Sequence, residues 1–158
     1  LLVGKTSRAA ELGINLHLDP RSTLSADGRF LPSGVLVTIL GNLIENATES
    51  LDHSTWKQKE IAVSIREKPD SLLLCVEDTG IGIPREAQGR VFERFYRVDS
   101  SRTRAQGGYG LGLSIAQSIV QAHHGKIHAQ SDTQGTTFTV ALPMCTQRTI
   151  KYKKKVTK

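Results

Sequence analysis

The sequence predicts an α+β domain, a two-layer α/β sandwich in which helices cover one face of a mixed, mostly antiparallel sheet. Three observations predict it. Ser33–Leu51 and Leu111–His124 have the apolar spacing of helices that bury one side. Several shorter stretches have the length and alternation of strands. Two pairs of those strands adjoin across turn residues, which makes them hairpins.

Leu1–Leu12 has helical character and stops at Gly13, a C-cap glycine, so it reads as the trailing end of an upstream helical segment. Ile14–Asp19 alternates apolar and polar residues, as a half-buried strand does. Pro20–Phe30 is a loop with Asp27-Gly28 turn chemistry. In Ser33–Leu51, residues Val35, Leu36, Ile39, Leu40, Leu43, Ile44, Ala47 and Leu51 make a broad apolar face. His53–Lys59 leads into strands Glu60–Arg66 and Ser71–Glu77, joined at Lys68-Pro69-Asp70. Pro84–Arg90 is a short helix with proline near its start. Arg97–Gly108 is a polar, basic loop. Leu111–His124 follows it, capped by Gly125. Strands Lys126–Ser131 and Thr136–Leu142 meet at Thr133-Gln-Gly135. The chain thus divides into a helix end at 1–12, one domain at 13–143 and a tail at 144–158.

A length of 158 residues with 38% hydrophobic content fits one domain with a real core. The net charge of +6 belongs to the tail. Six of the 21 basic residues lie in 148–158 without an acid, leaving 15 against the 15 acidic side chains elsewhere. A neutral body gives no footprint for nucleic acid, and such a basic run reads as a solvated tail. Cys75 and Cys145 are far apart and lack companion ligands, so they fit no metal motif; Cys75 lies in an apolar run and reads as a small buried hydrophobe. No apolar run approaches the roughly 20 residues that span a bilayer. With no secretory signal either, the expected location is cytoplasmic, as the soluble part of something larger.

Chemistry is concentrated in three places. Asn42, Glu45, Asn46 and Glu49 are spaced i, i+3, i+4, i+7, one polar stripe on an apolar helix. Asparagine is a poor helix former, and its neutral carboxamide oxygen suits Mg²⁺ already bound to phosphates. Asp78 ends an apolar strand and precedes Gly80 and Gly82. A carboxylate there is an acceptor only and can take the exocyclic amino group of adenine; a guanine carbonyl would be repelled. Gly80 and Gly82 would let backbone approach the base, and Ile83 would pack on its face. Gly108-Tyr-Gly110-Leu111-Gly112 opens a helix, whose N–H groups can meet phosphate. The preceding loop brings Arg97, Arg102 and Arg104, which can balance triphosphate charge. Neither Gly-x-x-x-x-Gly-Lys-Ser/Thr nor a Gly-x-Gly-x-x-Gly after a strand occurs, which excludes a P-loop and a dinucleotide-binding fold.

Taken together these residues resemble the catalytic ATP-binding domain of bacterial sensor histidine kinases, within the superfamily that includes gyrase-type topoisomerases and heat-shock chaperone ATPases. The resemblance is carried by Asn42-Leu-Ile-Glu-Asn46, Asp78-Thr-Gly-Ile-Gly82, Val91-Phe-Glu-Arg-Phe-Tyr-Arg-Val-Asp99, Gly108-Tyr-Gly-Leu-Gly112 and Gly135-Thr-Thr-Phe138, in that order, over about Leu12 to Pro143. It implies the Bergerat ATP-binding fold and a two-component protein-histidine kinase that uses ATP and Mg²⁺. Asn42 and Asn46 would hold the metal and phosphates. Asp78, with Thr136 or Thr137, would bind adenine. Arg97 would reach the γ-phosphate and Glu45 would be a weaker general-base candidate. Residues Ser100–Gly107 would form a lid anchored by burial of Phe92 and Phe95. The implied partners are a dimerisation and phosphoacceptor segment, through which alone it would dimerise, and a response-regulator receiver domain.

The chain departs from the pattern at Glu49 and Ser50, where many members place Lys and Tyr. That resembles the citrate and dicarboxylate sensor branch, as the first half does generally; the second half resembles the phosphate and osmolarity sensors. None of His17, His53, His123, His124 and His128 has the context of a phosphoacceptor. Two alternatives stay open: a gyrase-type conformational ATPase, although Asn42 stands where those enzymes place a glutamate base, and a nucleotide-binding module without transfer activity.

Overall fold

A computed structural model describes residues 2–25, 32–52, 54–98 and 109–144. The expected Asp27-Gly28 turn, the expected lid Ser100–Gly107 with Arg102 and Arg104, Gly108, and the tail from Cys145 onward lie outside the described residues. The described elements are α1 (Leu2–Glu11), β1 (Asn15–Leu18), α2 (Ser33–Asp52), β2 (Glu60–Glu67), β3 (Ser71–Asp78), α3 (Arg85–Gln88), α4 (Gly112–Ala122), β4 (Lys126–Asp132) and β5 (Gly135–Pro143). They match the elements read from the sequence to within two residues or so at most ends.

The five strands form one sheet in the order β1-β2-β3-β5-β4. β1 runs parallel to β2, and the other neighbours are antiparallel, so the sheet is mixed as expected. One face is covered. Ile39, Leu43, Ile44 and Leu51 of α2 and Val120 of α4 are fully buried against Ile61, Val76, Phe138 and Val140 of the sheet. At about 25 cal/mol per Å² of apolar surface, this shared core is the main stabilising contribution to the layer packing. The other face carries the alternate strand positions, among them Ser64, Cys75 and Thr139, which lie in one row across β2, β3 and β5. Cys75 is therefore half-buried on the open face rather than in the core, with burial and the nearby Glu77 carboxylate pushing its thiol up to about 11.

Gly13 ends α1 as predicted, at φ +69°, with Ile14 N–H returning to Ala9 O at 2.8 Å. The end of α4 differs from expectation. His124, not Gly125, takes the left-handed position (φ +57°), and Gly125 N–H returns to Val120 O at 2.8 Å. Gly125 is required for closeness instead, since a Cβ there would lie 2.6 Å from Ala141 O.

Candidate nucleotide-binding site

A cavity of about 990 Å³ opens at the ends of β3, β4 and β5, between α2 and the start of α4. That is at the upper end of the usual range for small-molecule sites. Asn42, Glu45, Asn46 and Glu49 all line it, so the polar stripe faces the cavity while the rest of α2 faces the sheet. Asn42 donates through Nδ2 to Thr38 O at 2.8 Å, which leaves its carboxamide oxygen as the outward group. That oxygen lies against the first residue of α4, where a Cβ on Gly112 would come within 3.1 Å of it. Glu45 is largely exposed and pairs with Lys5 of α1 at 3.0 Å.

The end of β3 is built differently. Asp78 is 5% exposed. Its Oδ1 accepts from Gly80 N–H at 2.8 Å and, at the long limit of 3.5 Å, from the Ser50 hydroxyl. Its Oδ2 is buried without a hydrogen-bond partner among the described residues. An unpaired buried acceptor is costly unless a donor arrives, and it is the group a ligand amino group would satisfy. Burial pushes the carboxyl up to about 6, against the pull of Gly80, Ser50 and Thr136. Asp78 is not on the cavity wall itself; Ser50 and Thr136, its neighbours, are.

The two glycines after Asp78 have structural reasons of their own. A Cβ on Gly80 would lie 2.0 Å from Ser50 Oγ, so Gly80 lets α2 close onto Asp78. Gly82 adopts φ +73° and sits where a Cβ would meet Asp132 O at 2.1 Å. Ile83 follows, half-buried on the cavity wall, and donates its N–H to Ser131 Oγ at 2.7 Å. Gln88 adds a second brace, giving its amide to Ile83 O and Ser131 O, both at 3.0 Å.

The two threonines after Gly135 separate. Thr136 pairs with Asp78 across the β3–β5 ladder, is buried, and lines the cavity. Thr137 pairs with Glu77 and points to the open face of the sheet, away from the cavity. Alternation along β5 forces this, so Thr136 and not Thr137 lines the cavity.

Beyond α3 the chain returns to the cavity rim. Phe92 packs edge-on against Phe138, with ring centroids 6.2 Å apart. Phe95 does not bury as expected: it is 71% exposed, and its backbone takes φ +63° so that its N–H reaches Gly110 O at 2.9 Å. Val91, not Phe95, is the apolar residue of this segment that is buried. Tyr96 and Arg97 line the cavity, and Arg90 stacks on the Tyr96 ring at 4.4 Å while pairing with Glu93. Gly110, Leu111 and Gly112 close the opposite rim. Among the described residues no side chain caps α4, so its first-turn N–H groups are available to an anion in the cavity. Arg104 and Gly108 lie outside the described residues.

The structure thus gathers Asn42, Glu45, Asn46, Gly82, Ile83, Arg97, Gly110, Leu111, Gly112 and Thr136 on one cavity, with Asp78 and Gly80 just beneath. Ser131, Gln88 and Tyr96 were not read from the sequence. Only the pairing of Ser131 with Thr136 across β4 and β5 could have found the first. Among the described residues, no group of three or more His, Cys, Asp or Glu could hold a metal.

This arrangement accompanies a family match: the model for histidine kinase-, DNA gyrase B- and HSP90-like ATPases covers residues 33–146. The chain belongs to that family. It is 41% identical over 111 residues to the sensor-like histidine kinase SenX3 of Mycolicibacterium smegmatis, which covers 70% of this chain and 28% of the relative. It is 34% identical over 145 residues to a probable C4-dicarboxylate sensor kinase of Bacillus subtilis, over 91% of this chain and 26% of the relative. Among solved structures it is similar to the mycobacterial sensor histidine kinase MprB, with a TM-score of 0.66, 25% identity and 90% of each chain covered. It is also similar to full-length ShkA in complex with AMPPNP, with a TM-score of 0.69, 26% identity, and 90% of this chain but 28% of that one covered. The chain spans little more than a quarter of the curated relatives named here. Among the described residues no helix is long and apolar enough to cross a membrane.

Proposed function

We propose that residues 13–143 are the ATP-binding catalytic domain of a two-component sensor histidine kinase, which passes the γ-phosphoryl group of ATP to a histidine on a dimerisation segment. The observation that carries this reading is the buried, unpartnered Asp78 Oδ2 beneath a cavity whose phosphate end is lined by Asn42, Asn46 and the uncapped start of α4. Adenine would enter between Ile83 and the β-strand ends and donate its amino group to Asp78, with Ser50 yielding. The Asn42 and Asn46 oxygens fit Mg²⁺ held mainly by phosphates, and the ion would neutralise charge on them. Arg97 would balance the γ-phosphate. Glu45 would take the proton of the acceptor imidazole, once free of Lys5.

The rest of the work is positioning, because a neutral imidazole is already a competent nucleophile. α1 would be the end of the dimerisation segment, docked here through Ala9 and Lys5. Partners would be that segment, through which two copies associate, and a response-regulator receiver domain. The domain would work in the cytoplasm and needs no nucleic acid. Asn42 disfavours the gyrase-type alternative, since a carboxamide takes no proton from water.

Mixing the chain with a dimerisation segment of a related kinase and γ-labelled ATP tests the proposal. Acid-labile label on the segment, lost on Asn46→Ala, is expected. Steady ATP hydrolysis without any label on the segment would contradict it.

A further inference from the structure

Ser131 has three hydrogen-bond partners within 3 Å. Ile83 N–H approaches its Oγ at 2.7 Å, Gly135 O lies at 2.9 Å and Thr136 Oγ1 at 2.9 Å. The chemistry of the first two is one-sided. A backbone N–H only donates, and a backbone carbonyl only accepts. Ser131 therefore spends its single proton on Gly135 O. The contact with Thr136 must then use the threonine's proton, with Ser131 Oγ accepting. One donated and two accepted bonds saturate the serine hydroxyl.

The consequence falls on Thr136. Its proton is turned toward Ser131, so Thr136 Oγ1 offers only lone pairs to the cavity it lines. Beside it in the ladder and just beneath the wall, Asp78 Oδ2 is a second acceptor, without a donor among the described residues. Two acceptors side by side match an incoming amino group and oppose a carbonyl oxygen.

We propose that Ser131 is a positioning residue for base selection: by fixing the Thr136 proton it makes the wall an acceptor-only surface, which selects a purine bearing a 6-amino group over one bearing a 6-carbonyl. This rests on the cavity being a nucleotide site. Gln88, which holds Ser131 O and Ile83 O together, keeps the serine in register with the loop. Removal of the serine hydroxyl would free the Thr136 proton to rotate into the cavity and welcome a carbonyl.

The experiment measures affinities of ATP and inosine triphosphate for the full chain and for Ser131→Ala, Ser131→Thr and Thr136→Val. The unaltered chain should prefer ATP. Ser131→Ala should narrow that preference roughly tenfold, as expected when an unpaired acceptor contact becomes a made bond. Ser131→Thr, which keeps the hydroxyl, should retain it. Thr136→Val, which removes one of the two acceptors, should narrow the preference even if Ser131→Ala fails to fold. Equal losses for both nucleotides in the Ser131→Ala and Thr136→Val chains would make the serine a structural brace and overturn the inference. Failure of the unaltered chain to bind ATP would instead overturn the nucleotide-site reading on which it rests.

Discussion

Phe95 and Gly110 are tied backbone to backbone: Phe95 N–H donates to Gly110 O at 2.9 Å, and both residues adopt left-handed backbone, at φ +63° and +69°. They are 15 positions apart in sequence and meet at the cavity rim. A left-handed phenylalanine costs energy that the surrounding contacts must offset. The close fit shows in Gly110, where a Cβ would stand 3.0 Å from Phe95 C and from Tyr96 O.

Gly110→Ala therefore loses on both counts, the backbone and the contact. We expect it to destabilise the domain by about 1–3 kcal/mol, read by urea denaturation, and to weaken nucleotide binding by disturbing the rim at Tyr96 and Arg97. Unchanged stability would mean that the two strands of the rim move independently.

Asp78 links stability to pH. Its folded pKa of about 6 lies above the ordinary value of 3.8, so the folded state holds a proton that the unfolded state has already released between those values. Stability should fall by about 2–3 kcal/mol as pH rises from about 4 to about 6, from this group alone, then level off. Asp78→Asn should remove that slope and leave the nucleotide-free protein more stable at pH 7. Nucleotide affinity should run the other way, rising through about pH 6 as the carboxylate ionises. Denaturation and calorimetry at pH 5 and pH 7.5 separate the two trends.

His124 occupies a left-handed position that glycine fills without strain. His124→Gly should stabilise the domain by about 1 kcal/mol without altering nucleotide affinity, because α4 ends far along the helix from the cavity. Thermal unfolding with and without nucleotide checks both halves of this statement.

Arg97→Ala should lower phosphoryl transfer by about tenfold or more while changing the ATP dissociation constant little, the pattern of a charge used mainly in the transition state. Equal losses in transfer and binding would assign Arg97 to ground-state binding.

Most of the fold is legible in the sequence because its signals are local. The apolar face of Ser33–Leu51, the hairpin at Lys68-Pro69-Asp70 and the glycine at position 13 each specify their own neighbourhood. The site is legible as far as its residues sit on those elements, as Asn42 and Asn46 do on α2. What is hidden depends on register and handedness. Adjacent threonines at 136 and 137 cannot be told apart until β5 is set against β3, which faces one toward Asp78 and sends the other to the open side. Ser131 has no motif of its own, because its three partners come from the loop, the hairpin and the neighbouring strand. Phe95 misleads for a different reason: an aromatic residue implies burial, but its left-handed backbone serves the bond to Gly110 and turns the ring outward.

The proposed function depends on Asp78 reading the adenine of a bound ATP. Calorimetric titration of the chain and of its Asp78→Asn variant with Mg-ATP, at pH 7.5, tests it most directly. Binding to the unaltered chain and at least a tenfold weaker affinity in the variant are expected, since a buried hydrogen bond to a charged acceptor contributes about 1.5–3 kcal/mol. Equal affinities in a variant that remains folded would contradict it.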